Sequence, residues 1–402
     1  MIAPDEAWAV ILRSVRPLEV IPKKLDEAVG FCLAETVRAD RDIPPADRSA
    51  MDGFAVRAAD LAGFPQGLEL VGEVAAGSAA RPNVRSGTCV RILTGANLPP
   101  GADTVVMVED TTEAKGLVLF SGSFRKGAHI LRRGEDAKKG AVLVSKSTAL
   151  GAMQIASCAT VGKMIRVYRK PRIAIICTGT ELRETGDRVK AHEVRNSNGP
   201  ALAAALAGWG YHTAERKKVG DSKAGLRGTL LKSLSVCDVV LVTGGMSVGK
   251  YDFVHETLEA VGADIRFHGV AMKPGKPFLY AVTEKNTQIF GMPGHPLSAM
   301  TGFHEFVLPA LRRMSGLPGK VCRPVIRLPL AARLESKGGR TRFALGHIEW
   351  KDSGPVVRPV HSQSSADVVA GAQADGAIIL PAECSNLKVG ALVDFRPWRA
   401  LP

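Results

Sequence analysis

The sequence predicts a multi-domain protein of α/β and β structure, in which a doubly wound α/β domain lies between two regions of short β segments. Three observations support this prediction. The chain has 402 residues, more than one domain of about 150 residues would use. Apolar strands alternate with helices over residues 171–315. Residues 46–139 and 318–402 instead hold short apolar segments separated by glycine and proline.

Residues 1–45 are expected to form a small domain that begins with a helix. Over residues 4–15 the apolar side chains recur at helical spacing, and two acidic residues stand in the first turn, where the helix dipole favours them. A second helix is predicted near Leu25–Val29. Ile43-Pro44-Pro45 ends the pattern, because proline can neither donate to a strand ladder nor continue a helix.

Residues 46–139 are rich in glycine and predict a small β-domain or barrel. Its expected strands are Leu68–Val74, Thr88–Leu93, Thr104–Val108 and Leu117–Phe120. Residues 140–170 return to apolar, helical material around Ala149–Ala159, so we expect the β-domain to end near residue 140.

The α/β pattern begins at residue 171. Residues 172–177 form a continuous apolar run that ends in Thr178-Gly179-Thr180, which is typical of a buried parallel strand leading into a loop. A second such run, residues 239–242, ends in Thr243-Gly244-Gly245. Helices are predicted between the strands, at 200–208, 224–234 and 253–261, and a further strand at 288–290. Because ligands of such sheets bind beyond the carboxyl ends of the strands, we expect the functional residues there.

The composition indicates a globular protein that handles something anionic. Hydrophobic residues make up 46% of the chain, and no apolar stretch reaches the ~18 residues of a membrane span. The seven cysteines form no CxxC pair and the first residues are acidic, so we expect reduced thiols, no secretory signal and a cytoplasmic location. The net charge of +14 favours an anionic partner. The low content of aromatic residues and the lack of a recognised motif argue against nucleic acid as that partner.

Three loops have the chemistry to bind an anion. Thr243-Gly-Gly-Met-Ser-Val-Gly249 can offer backbone N–H groups and the hydroxyls of Thr243 and Ser247, although a plain glycine turn is the alternative. Met272-Lys-Pro-Gly-Lys-Pro277 holds two lysines on a stiff backbone, or is simply a solvated loop. Gly291-Met-Pro-Gly-His-Pro-Leu-Ser298 precedes a helix whose first N–H groups can face an anion, and His295 within it is more often structural than a general base.

Carboxylates recur just after apolar segments or in glycine-containing loops. Each is most often a cap or a turn residue, but together they can transfer protons or bind Mg²⁺. Their spacing alone does not show that they converge. Arg195-Asn-Ser-Asn198 likewise predicts a helix cap first and a ligand loop second. The five carboxylates are Asp52, Asp136, Glu181, Asp221 and Asp252.

Seven motifs, in one order along essentially the whole chain, resemble the MoeA/gephyrin E-domain family, the molybdopterin molybdenumtransferases of molybdenum cofactor synthesis. A chance match of seven such blocks is implausible. The motifs are Ser49-Ala-Met-Asp-Gly-Phe-Ala55, Arg91-Ile-Leu-Thr-Gly-Ala96, Gly101-Ala-Asp-Thr-Val-Val106, Arg133-Gly-Glu-Asp136, Thr243-Gly-Gly-Met-Ser-Val-Gly249, Met272-Lys-Pro-Gly-Lys-Pro277 and Gly291-Met-Pro-Gly-His-Pro296.

The resemblance implies insertion of molybdenum from molybdate into adenylylated molybdopterin, with release of AMP. Magnesium held by acids and phosphate oxygens can assist adenylate cleavage. The resemblance also implies an elongated homodimer, with a composite active site between the third domain of one subunit and the second domain of its partner. Transient contact with the preceding adenylyltransferase and with apo-molybdoenzymes is expected. The implied domains are a discontinuous N-terminal domain (1–45 and 140–170), an inserted β-domain (46–139), a molybdopterin-binding α/β domain (171–315) and a C-terminal β-domain (318–402).

Position by position, the resemblance also implies site residues. Catalytic roles fall on the five carboxylates named above. Substrate binding falls on Thr94, Lys273, Lys276, Pro293, Pro296 and Ser298, and molybdate binding on Arg340 and Ser365. The loops described above add Asn198, Thr243, Gly244, Gly245 and Ser247 as candidate substrate-binding residues.

The chain departs from the family pattern at four positions near these residues. The family commonly has aspartate at the first two, asparagine at the third and an acidic residue at the fourth. We expect Glu181 to suffice without a carboxylate before it, and replacement of Thr180 by aspartate to change activity little. The four departures are Thr180, Ser222, His295 and Arg342.

Two other functions compete. The adenylyltransferase of the preceding step shares the α/β fold, but it would leave the first 140 and the last 90 residues without a purpose. A non-catalytic molybdopterin-binding or scaffold protein belongs to a different class, and the chain has no long disordered linker or second module to support it.

Overall fold

The computed structural model describes residues 1–61, 67–162, 164–246, 253–336, 338–384 and 386–400. Within these ranges no helix is both long and apolar enough to cross a membrane. The chain divides into two compact units. The first unit comprises Met1–Ala34, Ser147–Gly151 and Ile165–Pro402, and the second comprises Glu35–Lys146 and Ala152–Met164. The second unit is thus inserted into the sequence of the first, whereas the four predicted domain boundaries remain predictions.

The first unit begins with helix α1, Pro4–Ser14. Proline fits the first helical turn, where no N–H donor is needed, and Ala7 and Ile11 bury the apolar face. Strands β1 (Val20–Lys23) and β2 (Cys32–Leu33) follow. The predicted second helix is wrong: Leu25–Glu27 form only a 3₁₀ turn, because the chain reverses at Gly30, where φ is +74°, to bring β2 back.

The second unit contains a six-stranded sheet with the order β8-β5-β7-β6-β10-β9. Its apolar residues alternate between the two faces of the sheet, so Ala55 and Val90 face one core and Phe54 and Cys89 face another. The predicted β-domain is confirmed in its strands. The elements are β3 (Val37–Arg38), β4 (Arg48–Ser49), β5 (Gly53–Val56), α2 (Ala58–Leu61), β6 (Leu68–Val74), β7 (Thr88–Ile92), β8 (Thr104–Met107), β9 (Thr111–Ala114), β10 (Leu117–Phe120), β11 (Ile130–Leu131), β12 (Val142–Val144) and α3 (Ala152–Ala159).

The chain then returns to the first unit, where β13 (Ile165–Tyr168) pairs with β1 and β2. The α/β region follows directly. Its elements are β14 (Ile173–Thr178), β15 (Leu182–Arg183), β16 (Val194–Arg195), α4 (Asn198–Gly208), β17 (Thr213–Val219), α5 (Lys223–Val236), β18 (Val239–Thr243), α6 (Phe253–Ala260), β19 (Asp264–His268), β20 (Met272–Lys273), β21 (Leu279–Val282), β22 (Gln288–Met292), α7 (Pro296–Gly302) and α8 (Leu308–Met314).

The α/β sheet has the strand order β17-β14-β18-β22-β21-β19. The first four strands are parallel. Strand β21 runs antiparallel to β22, and β19 runs antiparallel to β21 and so in the direction of the first four strands. Alternate residues of β14 face opposite sides, so Ile173 and Ile175 pack into one core and Ala174 and Ile176 into the other. The predicted doubly wound α/β fold is confirmed, and the carboxyl ends of four parallel strands lie at one edge.

The last part of the first unit is a β region with one short helix that the sequence analysis missed. Strand β20 pairs in parallel with β25 (Thr341–Lys351), so a piece of the α/β segment joins this six-stranded sheet. Its order is β20, β25, β27 (Gly376–Leu380), β29 (Leu392–Pro397) and β23 (Ile326–Pro329), and β26 (Gly354–Pro359) pairs with β25 outside this path. The elements are β23 (Ile326–Pro329), β24 (Leu334–Glu335), β25 (Thr341–Lys351), β26 (Gly354–Pro359), α9 (Val368–Ala372), β27 (Gly376–Leu380), β28 (Asn386–Leu387) and β29 (Leu392–Pro397).

A buried ion cluster joins distant parts of the first unit. Glu305, in a π-helical turn between α7 and α8, is 1% exposed and accepts hydrogen bonds from two arginines. Arg396 Nε of β29 donates to Glu305 Oε1 at 2.6 Å, and Arg323 NH2 donates to Oε2 at 2.8 Å. Arg323 also binds Asp5 of α1 at 2.6 Å. The carboxylate therefore ties three segments that lie far apart in the sequence.

Candidate functional site

Two polar loops meet at the carboxyl ends of β14 and β17. Thr180 donates hydrogen bonds from its N–H and its hydroxyl to Asp221 Oδ2, and the N–Oδ2 distance is 3.0 Å. Gly179 N donates to Val219 O at 3.1 Å, so the strand pairing continues into these loops. The structure thus brings Asp221 next to the residue that precedes Glu181, at the edge where the sequence predicts a ligand.

Thr180 therefore has a positioning role that the sequence analysis did not assign. From the sequence alone, a threonine in place of the family's usual aspartate indicates only that one carboxylate is lost. In this fold it supplies two donors that fix the carboxylate of the neighbouring loop. The pairing of loops after neighbouring parallel strands is the signal that would have suggested this contact.

Two carboxylates at this edge are available to a ligand. Glu181 is exposed. Within the described ranges, neither its carboxylate nor Asp221 Oδ1 accepts a hydrogen bond or joins an ion pair. This donor set fits Mg²⁺, which takes one or two carboxylates and completes its shell with water and substrate phosphate. It does not fit zinc, which favours histidine and cysteine, and the described residues contain no group of three such ligands that could hold a metal ion.

The glycine loop after β18 packs closely on β14. Gly244 has φ +89°, and a Cβ there would lie 2.5 Å from Thr178 O, so this position needs glycine. Its N–H already donates to Met292 O at 3.1 Å, and the predicted donor Thr243 is only 2% exposed. The Gly245 N–H has no partner among the described residues and remains a candidate anion donor.

Two residues predicted in the same loop, Ser247 and Asp252, lie outside the described residues. Their predicted roles as a substrate donor and a catalytic carboxylate stay predictions.

The start of α4 is fixed against the loop after β22. Asn198 is 8% exposed, and its Nδ2 donates to Gly294 O at 2.8 Å. The helix cap predicted for Arg195-Asn-Ser-Asn198 comes from Asn196, whose Oδ1 accepts the N–H of Gly199 at 3.0 Å. Asn198 thus holds the loop after β22 in place.

The loop after β22 leads into α7 through two of the predicted substrate-binding prolines. Pro293 is buried and Pro296 occupies the first turn of α7, where proline is favoured. Ser298, in the same turn, is 4% exposed. The first N–H groups of this helix were expected to face an anion, but Leu297 N donates instead to Ser365 O at 3.0 Å.

Ser365 makes a second contact with the same loop. Its hydroxyl oxygen lies 2.7 Å from His295 Nδ1. The sequence separation of 70 residues hides this pair from inspection of motifs. The predicted molybdate-binding residue Ser365 is therefore placed beside the predicted substrate-binding residues of α7.

The lysine loop passes against the same turn. Gly275 has φ +108°, and a Cβ there would clash with the side chain of Met272 and lie 3.6 Å from Ser298 O. Glycine is thus required between the two lysines, and it brings the loop close to α7. Lys273 and Lys276 are both exposed.

Strand pairing adds two arginines to these lysines. In the parallel pair β20 and β25, Lys273 stands opposite Arg342, and Arg340 lies two residues before it. Arg342 NH1 donates to the carbonyl oxygen of Glu335. We call Lys273, Lys276, Arg340 and Arg342 the cation cluster. In the part of the chain that the structure describes, none of its members forms an ion pair, so their positive charge is available to an anion.

The remaining predicted site residues belong to the second unit. Asp52 Oδ1 accepts hydrogen bonds from the N–H of Thr94 at 2.6 Å and from its hydroxyl at 2.7 Å. The hydroxyl, and then the N–H, hold the pKa of Asp52 below its usual value, so this exposed carboxylate stays charged at neutral pH. Asp136 is also exposed, and within the described ranges its carboxylate has no hydrogen-bond partner.

Comparison with known proteins identifies the family. Residues 2–162 match the MoeA N-terminal region (domain I and II), residues 174–313 a probable molybdopterin binding domain, and residues 327–398 the MoeA C-terminal region (domain IV). The molybdopterin molybdenumtransferase of Staphylococcus epidermidis is 34% identical over 399 residues, which cover 98% of this chain and 94% of that protein. The chain belongs to the MoeA family. The resemblance inferred from the seven motifs is confirmed.

Other members of the MoeA family agree with this assignment. The molybdopterin molybdenumtransferase of Staphylococcus aureus is 33% identical over 396 residues, covering 97% of this chain and 94% of its own. The crystal structure of a molybdopterin biosynthesis MoeA protein from Pyrococcus horikoshii OT3 superimposes with a TM-score of 0.82 at 27% identity, covering 99% of this chain and 100% of that chain. The fold of the MoeA family therefore extends over the whole described structure.

Proposed function

We propose that this chain is a molybdopterin molybdenumtransferase, which inserts molybdenum from molybdate into adenylylated molybdopterin and releases AMP. A role in molybdenum cofactor biosynthesis follows from membership of the MoeA family. The observation that supports this particular chemistry is the cation cluster. Its four basic side chains have no partner carboxylate among the described residues. Lys273 and Lys276 flank Gly275, which packs against Ser298 in the first turn of α7, and Lys273 stands opposite Arg342 of β25. Strand β22, which leads into α7, ends at the same sheet edge as Glu181 and Asp221.

The cation cluster suits the anions of this reaction. Molybdate is a tetrahedral dianion, and the pterin substrate carries phosphate groups. A lysine ammonium acts as a compact point charge, whereas an arginine guanidinium can hold two oxygens at once. Lys273 and Lys276 therefore suit binding of the oxyanion, with Arg340 positioned to orient it.

The carboxylates suit proton delivery. Replacing Mo–O by Mo–S bonds releases oxo groups as water, so protons must reach the departing oxygens. Glu181 and Asp221 Oδ1 have no hydrogen-bond partner among the described residues, which leaves them able to hold a water molecule or carry a proton. Thr180 keeps Asp221 in one orientation for this task.

The proposal also includes a Mg²⁺ ion at these carboxylates. Glu181 and Asp221 are the residues that would hold it, together with phosphate oxygens of the substrate. Bound there, the ion would supply Lewis-acid stabilisation of charge that develops on phosphate.

The proposed function is tested by incubating the purified protein with adenylylated molybdopterin and molybdate. AMP release and the ability of the product to reconstitute an apo-molybdoenzyme are measured together. A transferase forms active cofactor and AMP only when molybdate is present. An adenylyltransferase would consume ATP with free molybdopterin, and a scaffold would bind the pterin without either product. Either of these two outcomes contradicts the proposal.

Replacing Lys276 by alanine should raise the molybdate concentration that gives half-maximal rate about ten- to hundredfold, the size of one charge-assisted hydrogen bond. Lys276→Arg should restore the molybdate dependence only in part, because the planar guanidinium group of arginine differs in shape from the compact ammonium group of lysine. The measurement is AMP release against molybdate concentration. Lys320→Ala, which removes an exposed lysine of the same unit, is the matched control and should leave the curve unchanged. An unchanged curve for Lys276→Ala would mean that this lysine is only a solvated surface residue.

We also propose that the active form is a homodimer whose sites combine residues of two chains. Asp52→Asn and Glu181→Gln should each be inactive alone. In randomly mixed dimers, half pair the two variants, and each such dimer has one intact composite site, so activity should return to about one quarter of wild type. Co-expression and an AMP assay of the unseparated mixture measure this; mixed dimers isolated through two affinity tags should have about one half of wild-type activity. Two sites each built from one chain would give no recovery, and a fully active monomer in light scattering would also refute the proposal.

A further inference from the structure

Ser365 is held by the loop after β22 through its main chain and its side chain. Leu297 N donates to Ser365 O at 3.0 Å, and His295 Nδ1 lies 2.7 Å from Ser365 Oγ. The side chain of Leu297 also packs with Leu345 and Ala370 in a small apolar cluster. The backbone of Ser365 is therefore fixed, and the contact with His295 decides which way its hydroxyl proton points.

A proton on Nδ1 of the imidazole controls what this hydroxyl can offer; the charged ring always carries that proton, and the neutral ring carries it in one of its two tautomers. A serine hydroxyl has one proton to donate and two lone pairs. If His295 Nδ1 has no proton, it accepts the Ser365 proton, and the hydroxyl presents only lone pairs to a ligand. If Nδ1 is protonated, it donates to Ser365 Oγ and leaves the hydroxyl proton free for another acceptor. An oxyanion can be bound by the second arrangement but not by the first.

We propose that His295 is a positioning residue for Ser365, which it converts into a hydrogen-bond donor for a tetrahedral oxyanion. Protonated His295 also adds a positive charge at the site. An oxyanion at Ser365 favours the proton on Nδ1 and, through its negative charge, the positively charged ring, so its binding is coupled to proton uptake by His295. This inference rests on the proposed function, because it takes the oxyanion to be the molybdate that Ser365 helps to bind.

Charged groups near this pair come from two segments. The lysine loop, which packs against the first turn of α7 at Ser298, brings the ammonium groups of Lys273 and Lys276. On the segment that carries Ser365, the titratable residues are His361 and Asp367. Asp367 accepts N–H groups from Ala370 and Gln363, both at 3.0 Å, and these bonds keep its pKa below the usual value. The first turn of α4, whose Asn198 binds Gly294, has no charged residue, and neither has α7. The described residues just after β18 are also uncharged.

An asparagine at position 295, the residue common in the family, could also donate to Ser365 Oγ. It would do so at every pH, because its amide does not titrate. Histidine is the side chain that ordinarily changes charge between about pH 5 and 8. The substitution found in this chain should therefore replace a constant donor by one that depends on pH.

The test is calorimetric titration of the whole protein with sodium molybdate at pH 6.5 and pH 8.5, at constant ionic strength. Wild type should bind molybdate about tenfold more weakly at the higher pH, the size of one charge-assisted hydrogen bond. His295→Asn should remove this pH dependence and retain the tighter binding at both values. Ser365→Ala should weaken binding and reduce the dependence to the part that comes from the charge of His295. His361→Asn, a histidine on the same segment, should behave like wild type.

A second readout is independent of molybdate. Nitrogen-15 NMR of labelled histidine shows which ring nitrogen of His295 carries a proton, with His295→Asn identifying the signal. Addition of molybdate near pH 7.5 should shift this signal toward the doubly protonated form. Sodium phosphate serves as a second probe, since any tetrahedral oxyanion that uses Ser365 should act in the same way.

The same pH dependence in His295→Asn and wild type would overturn the proposal, and so would molybdate binding that leaves the His295 signal unchanged. Absence of molybdate binding to wild type would overturn it as well. Failure of the proposed function is seen separately, as a protein that binds molybdate with the expected pH dependence but forms no AMP and no active cofactor.

Discussion

Glu181→Gln should lower turnover by about 10²–10⁴-fold, the range typical of losing a group that transfers protons. The amide keeps the shape of the side chain but can neither carry a proton nor hold a cation. Affinity for the pterin substrate and the melting temperature should stay close to wild type, because Glu181 is exposed and its carboxylate makes no hydrogen bond with described residues. The measurements are AMP release and cofactor formation at saturating molybdate.

Glu284→Gln is the matched control. Glu284 is an exposed glutamate in the turn between β21 and β22, at the opposite edge of the same sheet. It should have wild-type turnover. Wild-type turnover in Glu181→Gln would remove Glu181 from the catalytic residues.

The structure also changes the expectation for Thr180→Asp. An aspartate at this position loses the hydroxyl that donates to Asp221 and puts a second negative charge beside that carboxylate. We therefore expect lower activity, rather than the small change that the family pattern suggests. A wild type that is silent until Thr180 becomes aspartate would contradict both this expectation and the sufficiency of Glu181.

Glu305→Gln should lower the free energy of unfolding of the first unit by about 3–5 kcal/mol, because it leaves Arg396 buried without its counter-charge and Arg323 with only the exposed Asp5 as a partner. Arg396 is 6% exposed and loses a charge-assisted bond of 2.6 Å. All four tryptophans belong to this unit, so their fluorescence during urea denaturation reports its unfolding.

The control for the ion cluster is Glu27→Gln. Glu27 pairs with Lys23 at 3.1 Å, but its side chain is 60% exposed. Exposed pairs contribute about 0–1 kcal/mol, so the urea midpoint should move little. Equal effects of the two substitutions would show that burial does not matter for Glu305.

Elements with strong local signals could be predicted from the sequence. The apolar runs of β14 and β18 end in glycine and threonine, and the fold places both at the predicted ligand-binding edge. Helix α9 was missed because it has only five residues, and its N-terminus depends on the Asp367 cap within a stretch without apolar periodicity. The 3₁₀ turn at Leu25–Glu27 was mistaken for a helix because one helical turn has the same local pattern.

The contacts that assemble the candidate site could not be predicted in this way. Lys273 meets Arg342 only because β20 leaves the α/β segment and pairs with β25. His295 meets Ser365 through a 70-residue separation. Such contacts depend on the tertiary packing of whole elements, which residue spacing along the chain does not encode. The motifs could therefore indicate which residues matter, but not which of them touch.

The cation cluster also affects the protein when no substrate is bound. Like charges held close together repel one another, so folding must bring Lys273, Lys276, Arg340 and Arg342 together at a cost. An anion that binds only the folded form offsets this cost by mass action. Dissolved salt also reduces the repulsion among these side chains, but less specifically, because its ions screen their charges. Under the proposed function, molybdate would be both a reactant and a counterion that completes the folded state, and the supply of metal should influence how long the protein survives as well as how fast it works.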